Sequence, residues 1–397
     1  MLNQLFQTSN RLLLNWYGRR LQPNLIYFES FHGKQYSDNP RAIYECMRHF
    51  YPQCRCVWGV KKGYEELFEK YHIPYVYRFT PQWYQTIAQA RVWVTNTRTK
   101  AWITKSPHTV YIDTWHGTPL KQLGLDIQEV NIGDEDTDAY HQQVAEETAM
   151  WDYLVSPSHY TDEIFTSSFC VRDDQLLKVG YPRNDKLVNE RENERLKQAI
   201  RHRLGIPKEK KIILYAPTWR DNQSKGDNQY HFEMPFDAEK LVARYEDCVL
   251  LVRMHYLVSE QLHFDSHQIY NVSHYEEMSD LLLISDLLIT DYSSSLFDYA
   301  ILKRPMIFYM YDRETYQHSL RGTYFNLNQT LPGPIVETES QLQNVVDDWH
   351  CGQNIMNTEQ YNRFSKEFNA YEKGDAAQKI ASYINELVQN PHDNMLE

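Results

Sequence analysis

No apolar run in the 397 residues approaches the roughly 18 needed for a membrane-spanning helix, so the chain is not expected to cross a bilayer. Positive charge is scarce. The 41 lysines and arginines face 53 aspartates and glutamates, for a formal net charge of −12. That balance speaks against general nucleic-acid binding, which needs a basic surface. A bound anion must therefore meet a local cluster of donors. The six cysteines, Cys46, Cys54, Cys56, Cys170, Cys248 and Cys351, are scattered, and the C-x-C at 54–56 has no second pair, so no zinc site is expected. No signal peptide is visible, and free thiols in a reducing cytoplasm are the expectation. The chain lacks G-x-x-x-x-G-K-[ST] and a convincing G-x-G-x-x-G, which argues against a P-loop NTPase and a nicotinamide-dependent enzyme. Repeats and low-complexity tracts are absent.

What is present is a long chain, 42% hydrophobic, too large for one ordinary core. Strand-like runs lie at 25–30, 55–60, 74–79, 91–96, 109–114, 152–157 and 176–181, with helical stretches between most of them. A charged segment, 189–205, reads as a surface helix linking two domains. Alternation then restarts with a strand at 211–217, followed by a polar loop at 221–231 and strands at 249–255, 268–273, 287–290, 306–310 and 334–337. This is βαβ patterning and predicts mostly parallel sheets with helices on both faces. The expected layout is an α/β domain over 1–188, a second over 189–372, and a C-terminal helix and tail over 373–397. Residues 2–21 place Leu2, Leu5, Phe6, Leu12, Leu13, Trp16 and Tyr17 near helical spacing, with Arg11, Arg19 and Arg20 among them. Such an amphipathic helix either packs on its own domain or lies on a membrane.

Ligands of open α/β sheets bind beyond the carboxyl ends of the strands. Unusual polar residues fall there repeatedly: His116 in "TWHGTP", Arg183 in "YPRND", Arg220 in "PTWRD", Arg253 and His255 in "RMH", and Ser293 to Ser295 after "LLIT". The serines follow Asp291 and open a helix, where free backbone N–H groups and the helix dipole favour an anion; a serine there is equally an ordinary cap. Arginines offer forked donors to phosphate, and Arg253 and His255 would share one strand face. His116 has the chemistry of a general base for an alcohol attacking phosphorus. These residues point to a phosphate-rich ligand and to group transfer from an activated nucleotide donor.

The motifs "WHGTPLKQLG", "VGYPRND", "LYAPTWRD", "RMH", "ITDYSSSLFDYAILKRPMIFY" and "RGTYFN…PGPI" resemble the CDP-glycerol glycerophosphotransferases, which include teichoic acid primases and polymerases of Gram-positive bacteria. The stretch "FESFHGKQYSDNPRAIYE" resembles the polymerase branch. The resemblance spans roughly residues 25–370. It implies a GT-B-like fold of two doubly wound Rossmann-like domains facing an interdomain cleft. It implies transfer of glycerol phosphate from CDP-glycerol, or ribitol phosphate from CDP-ribitol, with release of CMP. The implied acceptor is the terminal hydroxyl of an undecaprenyl-diphosphate-linked chain, reached peripherally at the cytoplasmic face of the cell membrane. His116 resembles the family's base, and His255 a group that stabilises charge on the diphosphate. Gly117, Thr118, Pro119, Leu120, Arg183, Pro217, Thr218, Arg253, Met254, Ser293, Ser294 and Asp298 resemble donor-binding positions. Mg²⁺ is admitted but not implied, and primase, single-addition and polymerase roles stay open. Two other readings stay open as well: a nucleotide-sugar GT-B glycosyltransferase, separated by the nucleotide it releases, and a catalytically inert binder of lipid-linked polymer.

Overall fold

The computed structural model describes residues 2–129, 136–218, 234–254, 264–313 and 322–390. The chain forms two compact units. Unit 1 comprises Met1–Gly117, Leu123–Asp185 and Ala370–Glu397; unit 2 comprises Thr118–Gln122 and Lys186–Asn369.

Unit 1 holds strands β1 (Gln22–Glu29), β2 (Arg55–Val60), β3 (Tyr75–Tyr77), β4 (Ala90–Thr95), β5 (Val110–Asp113), β6 (Tyr153–Ser156) and β7 (Leu176–Lys178), in the order β3-β2-β1-β4-β5-β6-β7. Unit 2 holds β8 (Lys211–Tyr215), β9 (Cys248–Val252), β10 (Ile269–Asn271), β11 (Leu287–Thr290), β12 (Met306–Tyr309) and β13 (Ile335–Val336), in the order β10-β9-β8-β11-β12-β13. Every pairing within them is parallel. Parallel strands are covered on both faces, so they read as continuous apolar runs, and "LIYF" and "KIILY" do so.

Both sheets are doubly wound. Strand order reverses between β1 and β4 in unit 1 and between β8 and β11 in unit 2. At the first reversal Glu29 pairs with Thr95 and Thr95 with Asp113, so the loops after β1, β4 and β5 leave the sheet along one edge. At the second, Ile289 pairs with Tyr215 and Tyr215 with Val252, which does the same for the loops after β11, β8 and β9. The fold thus gathers chemistry-bearing loops at two switch points.

Two boundaries differ from the sequence expectation. The chain passes into unit 2 at Lys186 rather than 189, and from Ala370 it returns to unit 1. The helix Ala376–Gln389 is no separate appendage. Its Ile380, Ala381, Ile384 and Leu387 are buried in one cluster with Ile26, Phe28, Trp58 and Val92 of the unit 1 sheet. Asp185 receives the N–H groups of Ala376 and Ala377 at 3.0 and 2.8 Å, closing the first turn of this helix. At its other end the buried Arg91 donates to Leu387 O at 3.2 Å. An amphipathic pattern shows that a helix packs, not on which sheet. The charged segment 189–205 forms the helix Glu194–Leu204 inside unit 2, with Ile200 buried.

The N-terminal helix, Leu2–Gly18, packs on the helix Pro81–Gln89 with Leu14 buried. Among the described residues no helix is long and apolar enough to cross a membrane.

Truncating Ile384 to alanine should destabilise unit 1 by about 2–5 kcal/mol, because it removes a fully buried branched side chain from a packed core. Urea denaturation followed by tryptophan fluorescence reads this directly. An unchanged midpoint would mean that the terminal helix does not support the unit 1 core.

Candidate active site

His116 sits at the carboxyl edge of the unit 1 sheet, three residues past β5. The turn that carries it is held from below. Trp115 takes a left-handed conformation, φ 49°, which a bulky residue keeps only when its surroundings over-determine it. Those surroundings are visible. Its N–H donates to Asp113 Oδ1 at 2.8 Å, and its carbonyl accepts from Asn39 Nδ2 at 3.1 Å. Its indole lies 4.7 Å from the ring of Phe169, with Trp151 and Phe165 beside it.

The imidazole of His116 is half-buried between two rings: Trp115 stacked at 4.4 Å and Phe31 edge-on at 5.7 Å. Its Nδ1 lies 2.6 Å from the carbonyl oxygen of Asn96, the residue that follows β4. A carbonyl only accepts, so Nδ1 carries the proton and Nε2 keeps its lone pair. Burial pushes the imidazole below its ordinary pKa, and Arg183 adds to this; the Asn96 carbonyl and Asp38 pull the other way. The neutral form that a base requires is therefore the one the site favours.

Asn96 is itself fixed. Its side chain receives the Phe31 N–H at 2.9 Å and donates to Ser30 Oγ at 3.2 Å and Asp38 Oδ2 at 2.5 Å. Asp38 pairs with Arg183 at 2.6 Å, and the Arg183 N–H donates to Asn39 Oδ1 at 3.1 Å. One network thus joins the loops after β1, β4, β5 and β7. The Arg183 guanidinium, expected on the donor, is engaged with this carboxylate and lies over the Tyr181 ring at 5.0 Å.

At the switch point of unit 2, Asp291 follows β11 and accepts from the N–H groups of Thr218 at 2.7 Å and Tyr292 at 2.5 Å. Pro217 and Thr218 follow β8 at the same edge and are half-buried. Ser293 and Ser295 share a hydroxyl contact of 3.0 Å, and the helix Ser295–Ala300 begins there. Ser294 occupies its cap position in a helical conformation and makes no side-chain cap bond. Asp298 is buried on this helix. Met254 is buried, its N–H on Ser273 Oγ at 3.0 Å.

Arg253 departs from expectation. The strand ends at Val252, so Arg253 lies beyond it, and its guanidinium donates to the carbonyls of Val272, at 2.9 Å, and Tyr275. Burial lowers its pKa to about 10. His255, Arg220, Arg321 and the loop 221–231 lie outside the described residues. The "WHGTPL" motif divides: His116 and Gly117 belong to unit 1, whereas Thr118, Pro119 and Leu120 belong to unit 2. There Leu120 O accepts from Tyr324 N at 3.1 Å and Gln122 N donates to Gly322 O at 2.8 Å, so the distant "GTYFN" motif pairs with it.

Sequence reasoning missed Asn96, Asp38 and Phe31. Asn96 ends the run "RVWVTN" and met the same strand-end criterion that selected His116. Among the described residues, one group could hold a metal ion: Asp247, Cys248 and His350. It sits at the amino edge of β9, away from the switch point. His350 Nε2 lies 2.6 Å from Asp247 Oδ1, Lys211 Nζ lies 3.3 Å from Asp247 Oδ2, and the His350 contact leads in holding that carboxyl down at about 2.

Two doubly wound parallel sheets, with polar loops gathered at each switch point, define a GT-B-like pair of Rossmann-like domains. A sequence profile of the CDP-glycerol:poly(glycerophosphate) glycerophosphotransferases matches residues 12–386, and the chain belongs to that family. It is 46% identical over 364 residues to a teichoic acid glycerol-phosphate transferase of Staphylococcus aureus, covering 91% of this chain and 92% of that one. It is 45% identical over 319 residues to the teichoic acid poly(glycerol phosphate) polymerase of Bacillus subtilis, covering 80% of this chain and 42% of that longer protein. The solved structure of the wall teichoic acid polymerase TagF superposes with a TM-score of 0.88 at 36% identity, over 99% of both chains. The chain is a glycerophosphotransferase of teichoic acid synthesis.

The carboxyl beneath the His116 turn has a pH signature. Burial raises the Asp113 carboxyl to about 7, against the hydrogen bonds it accepts from Trp115, Thr95 and Tyr111. A carboxyl whose folded pKa is raised holds its proton more tightly when folded. Its contribution is complete below the unfolded pKa of about 4 and is lost as pH climbs through about 7. Asp113→Asn should flatten this slope, and the variant should gain on the wild type by a few kcal/mol at most above neutrality. Thermal melts between those limits test it; parallel curves for the two proteins would refute it.

Proposed function

We propose that the protein transfers glycerol phosphate from CDP-glycerol to the terminal hydroxyl of a lipid-linked teichoic acid precursor, at the cytoplasmic membrane face. The observation that carries the chemistry is the 2.6 Å contact from His116 Nδ1 to the Asn96 carbonyl, which leaves Nε2 as the base. Nε2 takes the proton of the acceptor hydroxyl. The oxygen attacks the β-phosphorus, a new P–O bond forms there, and the bond from that phosphorus to the bridging oxygen breaks. CMP departs with the electron pair. Catalysis rests on positioning and on charge stabilisation by fixed donors. Thr218, Ser293 and Ser294 at the unit 2 switch point support a donor diphosphate subsite, and His255 fits a role on the same diphosphate through the family motif. The TagF structure obtained after a CDPG soak is consistent with a donor of this class.

Membrane association is supported by the N-terminal helix. Its buried side carries Leu14, while Leu12 and Trp16, one turn apart, are 67% and 57% exposed, with Arg11, Arg19 and Arg20 exposed near them. Exposed apolar side chains beside arginines suit an anionic leaflet. Six free cysteines accord with a reducing compartment.

His116→Ala should lower turnover by about 10²–10⁴, with CDP-glycerol affinity retained, as loss of a general base does. In the wild type the acid limb of kcat against pH should fall below about 6.5, because burial favours the neutral imidazole. CMP release and calorimetry with the donor check both. Near-normal turnover in the variant, or an acid limb above that value, would remove His116 as the base.

Replacing Leu12 and Trp16 together with glutamate should abolish flotation with liposomes containing anionic lipid and leave the melting temperature nearly unchanged, since neither side chain is buried. Flotation equal to the wild type would exclude this helix as the anchor.

A further inference from the structure

Three loops leave the carboxyl edge of the unit 1 sheet around His116. After β1 come Phe31, His32, Gly33 and Lys34; after β3 come Arg78 and Phe79; after β4 come Asn96, Arg98 and Lys100. The first is a one-turn left-handed bend, with φ of 46°, 57° and 78° at Phe31, His32 and Gly33. Two non-glycine residues held there are strained, and such strain persists where the surroundings fix it. Here Arg78 donates to His32 O at 2.8 Å, Lys61 N donates to Gly33 O at 2.8 Å, and a Cβ on Gly33 would stand 2.8 Å from both Gly59 O and Lys61 N. The bend is locked onto β2 and Arg78. It holds the Phe31 ring against His116.

The charge of this edge opposes that of the chain. Lys34, Arg78, Arg98, Lys100 and Arg183 gather there, against Glu29, Asp38 and Glu147. Glu147 alone meets both Arg98, at 3.3 Å, and Lys100, at 3.2 Å. Glu29 meets Arg78 at 3.1 Å, is buried and accepts from Tyr27; burial raises its carboxyl pKa, while Arg78 and Tyr27 lower it. Among the described residues no ion pair involves Lys34. The excess is felt at His32, whose pKa falls to about 4, through burial first and then through Arg78, Lys100 and Lys34. A protein of net charge −12 has concentrated uncompensated cations beside its base.

We propose that these loops form the seat for the phosphodiester that precedes the reacting glycerol of the acceptor, with Lys34 and Lys100 as its cationic contacts. This rests on the reading of the acceptor as a glycerol-phosphate chain. Such a chain carries one anionic phosphodiester per repeat, one glycerol away from the hydroxyl that Nε2 of His116 deprotonates. A cationic seat next to the base both binds the chain and aligns its last hydroxyl. The seat runs on into apolar surface. The Arg78 guanidinium lies 4.8 Å from the exposed Phe79 ring, and Phe79 stacks on Trp102 at 6.1 Å. The 101–104 segment meets the N-terminal helix through Arg11 on Ala101 O and Thr104 on Asn15. The acceptor's lipid end would leave in that direction.

The experiment uses the full chain and two short soluble acceptors: one ending in a glycerol phosphodiester, the other bearing a neutral methylphosphonate in place of that phosphodiester. Lys34→Gln and Lys100→Gln should each raise the acceptor KM about five- to tenfold, with kcat and the KM for CDP-glycerol held. The wild type should bind the neutral acceptor as weakly as the double variant binds the charged one, and the variants should lose nothing further on it. Calorimetry of the acceptors without donor reads the same affinities independently of turnover. Unchanged acceptor affinity, or equal loss on both acceptors, overturns the seat. A rise in the donor KM instead would assign the lysines to the donor diphosphate, and a defect seen only with liposomes would assign them to lipid headgroups; either overturns the proposal. Absence of CMP release by the wild type would instead count against the proposed activity, and calorimetry would still decide the seat.

Discussion

The hydrogen bond from His116 Nδ1 to the Asn96 carbonyl, at 2.6 Å, is the contact around which the loops of unit 1 are arranged. It selects the tautomer, and a backbone carbonyl at the end of a central strand is about as fixed an acceptor as a protein offers. Everything nearby serves to hold those two atoms in line. Trp115 stacks on the ring and is anchored by an aromatic cluster; Phe31 closes the other side; Asp38 holds the Asn96 amide. A second carboxylate, Asp113, props the strained peptide of Trp115. The cost of that strain, on the order of 1–3 kcal/mol, is carried by burial of the indole and by these bonds.

The sheet topology explains why so few residues suffice. With Glu29, Thr95 and Asp113 in register, the next residue of each strand emerges within one strand spacing of its neighbour. The same holds for Tyr215, Val252 and Ile289 in unit 2. Site geometry is therefore set by sheet register, and the loops need only short reaches. The Thr218 N–H on Asp291, at 2.7 Å, joins the loops after β8 and β11 in the way that Asn96 and His116 join those after β4 and β5.

Much of this was legible in the chain. All thirteen expected strand runs overlap observed strands, because buried parallel strands write themselves as unbroken apolar segments between turns. Strand ends were legible for the same reason, and with them His116 and the serines. What escaped was pairing across long sequence distance. Nothing in "SDNP" announces that Asp38 meets Asn96 and Arg183, and nothing in "RMH" shows that the Arg253 guanidinium turns to the carbonyls of Val272 and Tyr275. Nor does an amphipathic pattern at 376–389 say which sheet it covers; that is fixed by complementarity of shape with Ile26, Phe28 and Trp58.

Unit 1 is discontinuous: its sheet precedes unit 2 in the chain, and the helix that covers part of that sheet follows it. On the ribosome the strands β1 to β7 emerge first, yet Ile26, Phe28 and Val92 stay short of their cover until residues 376–389 have been made. Unit 2, continuous from Lys186 to Asn369 apart from the short segment Thr118–Gln122, has almost all of its own partners in hand earlier. The half that bears His116 is thus completed last, so a polypeptide cut short before residue 376 holds every residue of the His116 network and lacks the cover that keeps their platform folded.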